Sequence, residues 1–222
     1  MVKPILYSYF RSSCSYRVRI MLELKKVPFE YRAVDLHKDG GEQHLSEYKR
    51  LNPFGYIPAL VVTEDDGKTH TLFESMAIVD YLEQKYPQNS IYPKDLIERT
   101  NSLAIAETIT SGIQPFQNVG FIKMFDDLGI DKNKWSKDWI TKKFQSLEKV
   151  LETTCGKYCV GNTISIADIF LAPQVYNALK FEVDMSKFPI INRIVNELEK
   201  NEAFQKAHPS VQPDTPSEFR KS

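Results

Sequence analysis

A short polar stretch near the start of the chain holds the residue types best able to do chemistry. The segment FRSSCSYRVRI at 10–20 contains a pair of serines followed by a cysteine, together with three arginines. A cysteine thiolate could act there as a nucleophile. A serine hydroxyl could instead hold the thiol of another molecule in its anionic form. The stretch alone leaves both interpretations open.

The surrounding residues predict a strand, a helix and a second strand. PILYSYF at 4–10 is rich in β-forming residues, and FEYRAVDL at 29–36 reads as another strand. Between them, Ser12 and Ser13 can cap a helix that runs through SYRVRIMLELKK. A strand, helix and strand in this span predict two parallel strands.

The next segments complete an α/β domain. IPALVV at 57–62 predicts a third strand, and EDDGK at 64–68 predicts a hairpin turn into an antiparallel fourth strand, THTLF. ESMAIVDYLEQKY then predicts a helix that begins at an acid and a hydroxyl. We therefore expect residues 1–85 to form one domain.

The remainder of the chain shows helical periodicity. YPQNSIYPKD at 86–95 suits a linker, and residues 96–222 predict an all-helical domain with a kink near 112–115. SIADIFLAPQVYNALKF is apolar on most sides, which predicts a buried central helix. The proline-containing polar tail from His208 is expected to be extended or loose.

Composition narrows the function classes. The 222 residues include 29 basic and 29 acidic side chains, so we expect neither nucleic acid nor an anionic membrane as a partner. No apolar run approaches the ~20 residues that a spanning helix needs, and no signal-peptide cleavage site follows the start. Three cysteines fit a reduced, cytoplasmic protein. The four histidines lack ligand spacing, so no metal site is expected.

Motifs along nearly the whole chain carry a family resemblance. They include KPILYSYFRSSCSYRVRI, LNPFGYIPAL, ESMAIVDYLE, GIQPFQN and HPSVQPDTP. With them the chain resembles the zeta class of glutathione transferases. The resemblance implies a thioredoxin-like N-terminal domain of order β-α-β-α-β-β-α, an all-α C-terminal domain and a homodimer. It also implies glutathione as cofactor and the isomerisation of maleylacetoacetate, a small carboxylate of tyrosine and phenylalanine catabolism, to fumarylacetoacetate.

The thiol of glutathione must be ionised to react. With a reference pKa near 8.5, only about 3% of it is thiolate at pH 7, and lowering that pKa by ~2 units requires ~2.7 kcal/mol. One charge-assisted hydrogen bond and a helix N-terminus can supply this energy. The resemblance implies that Ser12 is the donor, although position alone predicts a helix cap. Tyr9 is the alternative donor, and Cys14 is expected to line the substrate pocket in a supporting role.

The resemblance also implies further glutathione contacts. A cis Ile57–Pro58 bond would expose the Ile57 backbone to the cysteinyl part of the tripeptide. Glu74 and Ser75 would hold its free α-amino acid, and alone they would read as a capping pair. The implied glutathione-binding residues are Ser12, Ser13, Gln43, Ile57, Glu74, Ser75, Gln114 and Asn118. From spacing alone, Gln114 and Asn118 lie four apart on one helix face.

Carboxylates on the substrate require cationic partners. Arg11 and Lys180 are the candidates, and family members of the vertebrate type carry arginine where Lys180 stands. Lysine keeps the charge but loses the bidentate fork. Displacement of halide from small α-halo acids is a further activity that the resemblance implies.

Two other functions and one structural motif complete the sequence-based expectations. Cys14 as direct nucleophile would make the protein a thiol transferase or dehydroascorbate reductase. A glutathione-transferase-like module without catalysis is the non-enzyme alternative. Ser165 and Asp168 have the spacing of a capping box, which predicts a role in folding.

Overall fold

The structure, a computed structural model, describes residues 2–220. The chain divides into two compact units, one of Met1–Asn89 with Glu202–Ser222 and one of Ser90–Asn201. The division at residue 89 falls inside the predicted linker, 86–95. Residues from 202 onward belong to the first unit, whereas the sequence analysis assigned them to the helical domain.

A four-stranded sheet forms the centre of the first unit. The strands are β1 Ile5–Ser8, β2 Glu30–Ala33, β3 Ala59–Thr63 and β4 Thr69–Phe73, and the helix between the first two is α1 Ser13–Leu24. The parallel pair and the antiparallel hairpin are present as predicted, because α1 returns the chain for parallel pairing and the short turn reverses it directly. The strand order is β2-β1-β3-β4, with β1 also antiparallel to β3.

Two further helices complete the predicted order in this unit. They are α2 Ser46–Lys49 and α3 Ser75–Lys85. The apolar stripes of α1 and α3 pack together, and Leu22, Ile78 and Leu82 have no exposed surface. Burial of these stripes against the sheet holds the N-termini of both helices in place.

The second unit is all-helical. Its helices are α4 Leu96–Glu107, α5 Val119–Ile122, α6 Lys132–Thr154, α7 Ile166–Lys180 and α8 Pro189–Leu198. The predicted central helix is α7, which packs against α4, α6 and α8 and is buried on most sides. The predicted kink is also present, because the helical hydrogen bonding changes to a π turn at Thr108–Ile113 and then to a 3-10 turn at Gln114–Gln117.

The predicted capping box begins α7. The Ser165 N–H donates to Asp168 Oδ2 at 2.8 Å. The other carboxylate oxygen accepts from the Cys159 N–H at 2.9 Å. Asp168 therefore joins the helix start to the loop before it, inside a fully buried environment.

The C-terminal segment folds onto the first unit, so the expectation of a loose tail is wrong. Helix α9, Glu202–Ala207, packs against α1. Beyond it, Gln212 Nε2 donates to the Lys206 carbonyl at 2.9 Å, and Thr215 Oγ1 donates to the Pro209 carbonyl at 2.6 Å. These side-chain bonds satisfy the backbone of a segment too rich in proline for regular structure.

A helix that spans a membrane needs about 20 predominantly apolar residues. Among residues 2–220, no helix combines the length and apolar character needed to cross a membrane.

Candidate functional site

The N-terminus of α1 presents the Ser12 side chain. Ser12 is the N-cap residue, and its Oγ accepts a hydrogen bond from the Ser15 N–H at 3.1 Å. The Ser12 N–H donates to the Tyr9 carbonyl at 3.0 Å, which closes the turn between β1 and α1. Capping uses the acceptor side of the hydroxyl. The hydroxyl proton is therefore a donor for an anion at the positive end of the helix.

Ser13 and Cys14 occupy the first turn of the same helix. Ser13 is buried, whereas Cys14 is half-buried and carries a free thiol. Cys14 lies close enough to the Arg17 guanidinium to interact with it electrostatically. The structure thus places the thiol beside the Ser12 turn.

Tyr9 and Arg11 flank the turn. The Tyr9 ring meets Phe10 and His37 edge-on, with centroid separations of 4.8 and 5.9 Å. The Arg11 guanidinium carbon lies 4.8 Å from the centre of the Phe219 ring, which belongs to the C-terminal segment. A tyrosine, an arginine and a serine therefore lie within the four consecutive positions 9–12 that follow β1.

A buried arginine links the starts of α1 and α3. Arg17 is only 1% exposed, and its Nη1 donates to Ser75 Oγ at 3.1 Å. Burial lowers the pKa of Arg17, while Cys14 and Glu74 oppose that shift electrostatically. Ser75 is the first residue of α3, so Arg17 fixes its hydroxyl at that helix N-terminus.

Glu74 precedes α3 in an unusual backbone conformation. Its φ is 65° and its ψ is 117°, and its side chain is exposed. A non-glycine residue in this region carries about 1–3 kcal/mol of strain, a feature that clusters at ligand-binding positions. The exposed carboxylate and the Ser75 hydroxyl offer opposite polarities side by side, as a free α-amino acid requires.

Sequence reasoning missed the roles of Arg17 and Arg19. Arg19 has no exposed surface, and it donates to the carbonyls of Tyr9 and Phe10 at 3.3 and 3.1 Å. It therefore fixes the chain directly before the Ser12 turn. The spacing could have indicated that Arg17 is buried, because Arg17 lies four residues before the buried Met21, on the same face of α1.

Gln43 and Ile57 lie in the two loops that precede β3. The Gln43 side chain is half-buried and contacts His44, with Nε2 atoms 3.1 Å apart. Gly41 has φ of 106°, a backbone conformation that favours glycine, and a Cβ there would also displace the Gln43 amide, which lies 2.4 Å from the Cβ position. The Ile57–Pro58 peptide bond is cis, as the resemblance implied.

The second unit carries the remaining three residues that were predicted to bind glutathione or substrate. Gln114 begins a 3-10 turn, and Asn118 is extended and caps α5 by accepting from the Gly120 N–H at 3.1 Å. The inference that these two share one helix face is therefore wrong, because the helix breaks between them. Lys180 is exposed at the last position of α7, with its Nζ 5.1 Å from the centre of the Phe181 ring.

Comparison with known families gives two matches that follow the two halves of the chain. Residues 11–85 match the model of the glutathione S-transferase N-terminal domain, and residues 123–208 match that of the C-terminal domain. The fold and these matches together define the class of glutathione S-transferases.

Similarity to individual proteins is higher and extends over nearly the full length. The chain is 50% identical to probable maleylacetoacetate isomerase 2 of Drosophila melanogaster, covering 98% of this chain and 93% of that protein. It is 47% identical to maleylacetoacetate isomerase of Mus musculus, with 98% of both chains covered. The chain belongs to the glutathione S-transferase family, in the zeta class that includes the maleylacetoacetate isomerases.

Solved structures agree with this assignment. Maleylacetoacetate isomerase of Anaeromyxobacter dehalogenans, with glutathione in its active site, is 38% identical and superimposes with a TM-score of 0.88 over 96% of this chain and 98% of that one. A second structure of that protein holds dicarboxyethyl glutathione and citrate, with 35% identity, a TM-score of 0.87 and the same coverage.

Proposed function

We propose that this protein catalyses the glutathione-dependent cis–trans isomerisation of maleylacetoacetate to fumarylacetoacetate. The observation that carries the proposal is the Ser12 hydroxyl at the N-terminus of α1, in a chain 47% identical to a maleylacetoacetate isomerase. When bound, glutathione supplies a thiolate that can add to and leave an activated cis double bond, or displace halide from small α-halo acids. The chain must therefore keep that sulfur anionic and orient the electrophile.

Thiolate stabilisation is the task of Ser12. Its Oγ accepts from the Ser15 N–H, which leaves the hydroxyl proton to donate to an incoming anion. The helix N-terminus adds its own positive potential. Together these effects reach the ~2.7 kcal/mol that a pKa lower by ~2 units requires.

The residues at the start of α3 fit the free α-amino acid of glutathione. Glu74 would bind the ammonium group, while the Ser75 hydroxyl, held by Arg17, would bind the carboxylate at the helix N-terminus. The Ile57 backbone would pair with the cysteinyl part by strand addition. Ser13, Gln43, Gln114 and Asn118 are proposed as further glutathione contacts.

Recognition of the substrate carboxylates is assigned to Arg11 and Lys180. Arg11 makes neither a hydrogen bond nor an ion pair within the described part of the chain, so its charge is available to an exogenous anion. Lys180 is an exposed cation at the end of α7 and is proposed as a second, monodentate partner. Both are proposed on charge and position.

The family to which the chain belongs also suggests its location, its oligomeric state and its metabolic role. We infer a cytoplasmic homodimer that acts in tyrosine and phenylalanine catabolism, without nucleic acid or membrane as partners. Support for self-association comes from a cluster of exposed apolar side chains. Phe54, Tyr56 and Phe73 are 65%, 58% and 41% exposed, and the rings of Phe54 and Phe73 lie 5.7 Å apart.

An isomerisation assay tests the catalytic proposal. The rate of maleylacetone isomerisation is measured with and without glutathione, for the wild type, Ser12→Ala and Cys14→Ala. Loss of one hydrogen bond to a charged group predicts a decrease of about 10- to 100-fold in kcat/KM for Ser12→Ala. Cys14→Ala is expected to stay near the wild-type rate.

The other results identify the alternatives. Equal rates in Ser12→Ala and the wild type would reassign thiolate stabilisation to Tyr9, which Tyr9→Phe then tests. Lost activity in Cys14→Ala, together with reduction of dehydroascorbate by the wild type, would favour a cysteine-type enzyme. Retention on a glutathione resin without turnover would indicate a binding module.

A further inference from the structure

The segment His208–Arg220 lies beyond the C-terminal family match except for its first residue, yet it reaches the turn before α1. The Asp214 carboxylate accepts from the Phe10 N–H at 2.9 Å and from the Tyr31 hydroxyl at 2.6 Å. It therefore joins the end of β1 to β2. We call residues 208–220 the C-terminal brace.

The brace ends on an aromatic ring that contacts two consecutive residues of the turn. Phe219 packs against the buried Phe10 ring, with centroids 5.9 Å apart, and lies over the Arg11 guanidinium at 4.8 Å. Phe219 itself is held by a hydrogen bond from its N–H to the Pro216 carbonyl at 3.0 Å. Arg220 Nε donates to the Thr215 carbonyl at 3.0 Å and fixes the end of the segment.

The contact with the Phe219 ring affects which nitrogen atoms of the Arg11 guanidinium can donate hydrogen bonds to a ligand. The Nε atom is buried and has no hydrogen-bond partner among residues 2–220, while the Arg11 side chain as a whole is half-buried. An aromatic ring over the flat face of a guanidinium attracts the cation and restricts its rotation. The terminal nitrogens are therefore held as a fixed pair beside the Ser12 turn.

We propose that Phe219 is a positioning residue for substrate recognition, which holds the Arg11 guanidinium so that its terminal nitrogens bind a substrate carboxylate. This inference rests on the proposed function, since it deepens the role of Arg11 there. Phe219 acts through Arg11 and does not touch the reacting atoms. Its removal should weaken carboxylate binding and leave glutathione binding and thiolate formation unchanged.

Calorimetric titration with malonate, an unreactive dicarboxylate, provides the first test. Wild type, Phe219→Leu, Phe219→Tyr and Arg11→Met are compared at saturating S-methylglutathione. Loss of the ring face in Phe219→Leu should raise the Kd about two- to fivefold. Phe219→Tyr should restore the wild-type value, and Arg11→Met should raise the Kd further. Val211→Ala, a half-exposed position in the same segment, is the matched control and should leave Kd unchanged.

Steady-state kinetics provides the second test. In Phe219→Leu, the KM for maleylacetone should rise by the same factor as the Kd for malonate, while the KM for glutathione and kcat stay at their wild-type values. Three results would overturn the proposal. The KM for glutathione could rise as much as the KM for maleylacetone in Phe219→Leu, or neither the Kd for malonate nor the KM for maleylacetone could rise. Phe219→Tyr could also fail to restore the wild-type values. An inactive wild type that still shows the malonate pattern would refute the proposed isomerase and support the positioning role.

Discussion

Two buried arginines show how single residues shape the candidate site. Arg19 donates to Ser8 Oγ at 3.1 Å and to the Ala207 carbonyl at 2.9 Å, besides the two carbonyls before the Ser12 turn. A buried charge is tolerated only when such partners replace water. The spacing of Val18, Met21 and Leu22 along α1 indicates an apolar face, and all three are buried. Hydropathy could not predict that Arg17 and Arg19 are buried, because it treats every arginine as a surface residue.

Ser75 gives a residue-scale prediction. Replacing Ser75 by alanine removes the acceptor of Arg17 and a donor at the N-terminus of α3. We expect the KM for glutathione to rise about tenfold, since hydrogen bonds to charged groups contribute ~1.5–3 kcal/mol. The expected change in kcat is small, because Ser75 is proposed to bind the α-amino acid of glutathione and not its thiol. Ser75→Thr retains the hydroxyl and serves as the control; a KM equal to the wild-type value in Ser75→Ala would contradict this role.

At the scale of elements, local signals placed most helices but misplaced several ends. The apolar periodicity that indicates a helix begins at residue 139, yet α6 starts at Lys132 because Asp131 accepts from the N–H groups of Asn133 and Lys134. The periodic segment 188–205 reads as one helical stretch, but it is two helices, α8 and α9. The 3.6-residue periodicity continues through such breaks, so periodicity alone cannot locate them.

Asp168 gives an element-scale prediction. Asp168→Ala leaves the buried N–H groups of Cys159 and Ser165 without their acceptor. Since each unsatisfied buried group costs about 1–3 kcal/mol, the free energy of unfolding should fall by about 3 kcal/mol. Urea denaturation measures this change, and the KM for glutathione of the folded variant should stay constant.

A second capping aspartate provides the matched control for that experiment. Asp184 caps an exposed 3-10 turn by accepting from the Ser186 N–H at 3.2 Å. Asp184→Ala should therefore lower stability by less than about 1 kcal/mol. Similar losses in the two variants would show that the burial of Asp168 contributes nothing beyond an ordinary cap.

At the scale of the whole molecule, the sequence predicted both architectures but not where the last residues belong. Residues 202–220 read as a continuation of the helical half because only their local composition was visible. Their partners on α1 are far away in sequence, and Tyr16 donates to the Phe204 carbonyl at 3.4 Å. The family resemblance likewise named most candidate residues, whereas the contribution of Phe219 required coordinates.

The exposed aromatic cluster gives a prediction for assembly. If Phe54, Tyr56 and Phe73 lie in the dimer interface, Phe54→Glu buries a charge there and should shift the protein from dimer to monomer. Light scattering coupled to size exclusion measures the mass. Val211→Glu, at another exposed apolar position, should remain dimeric. A monomeric wild type, or a dimeric Phe54→Glu variant, would refute this interface.

The first unit is assembled from both ends of the chain. A ribosome translating ~5–20 residues per second needs on the order of 10 s to pass from residue 89 to residue 202. During that interval Arg19 has been synthesised without its Ala207 acceptor, and the side of α1 that α9 later covers stays open to solvent. The turn that carries Ser12 therefore acquires its final support only after the helical unit has been translated, so nascent chains stalled within that unit should be sensitive to proteases and chaperones.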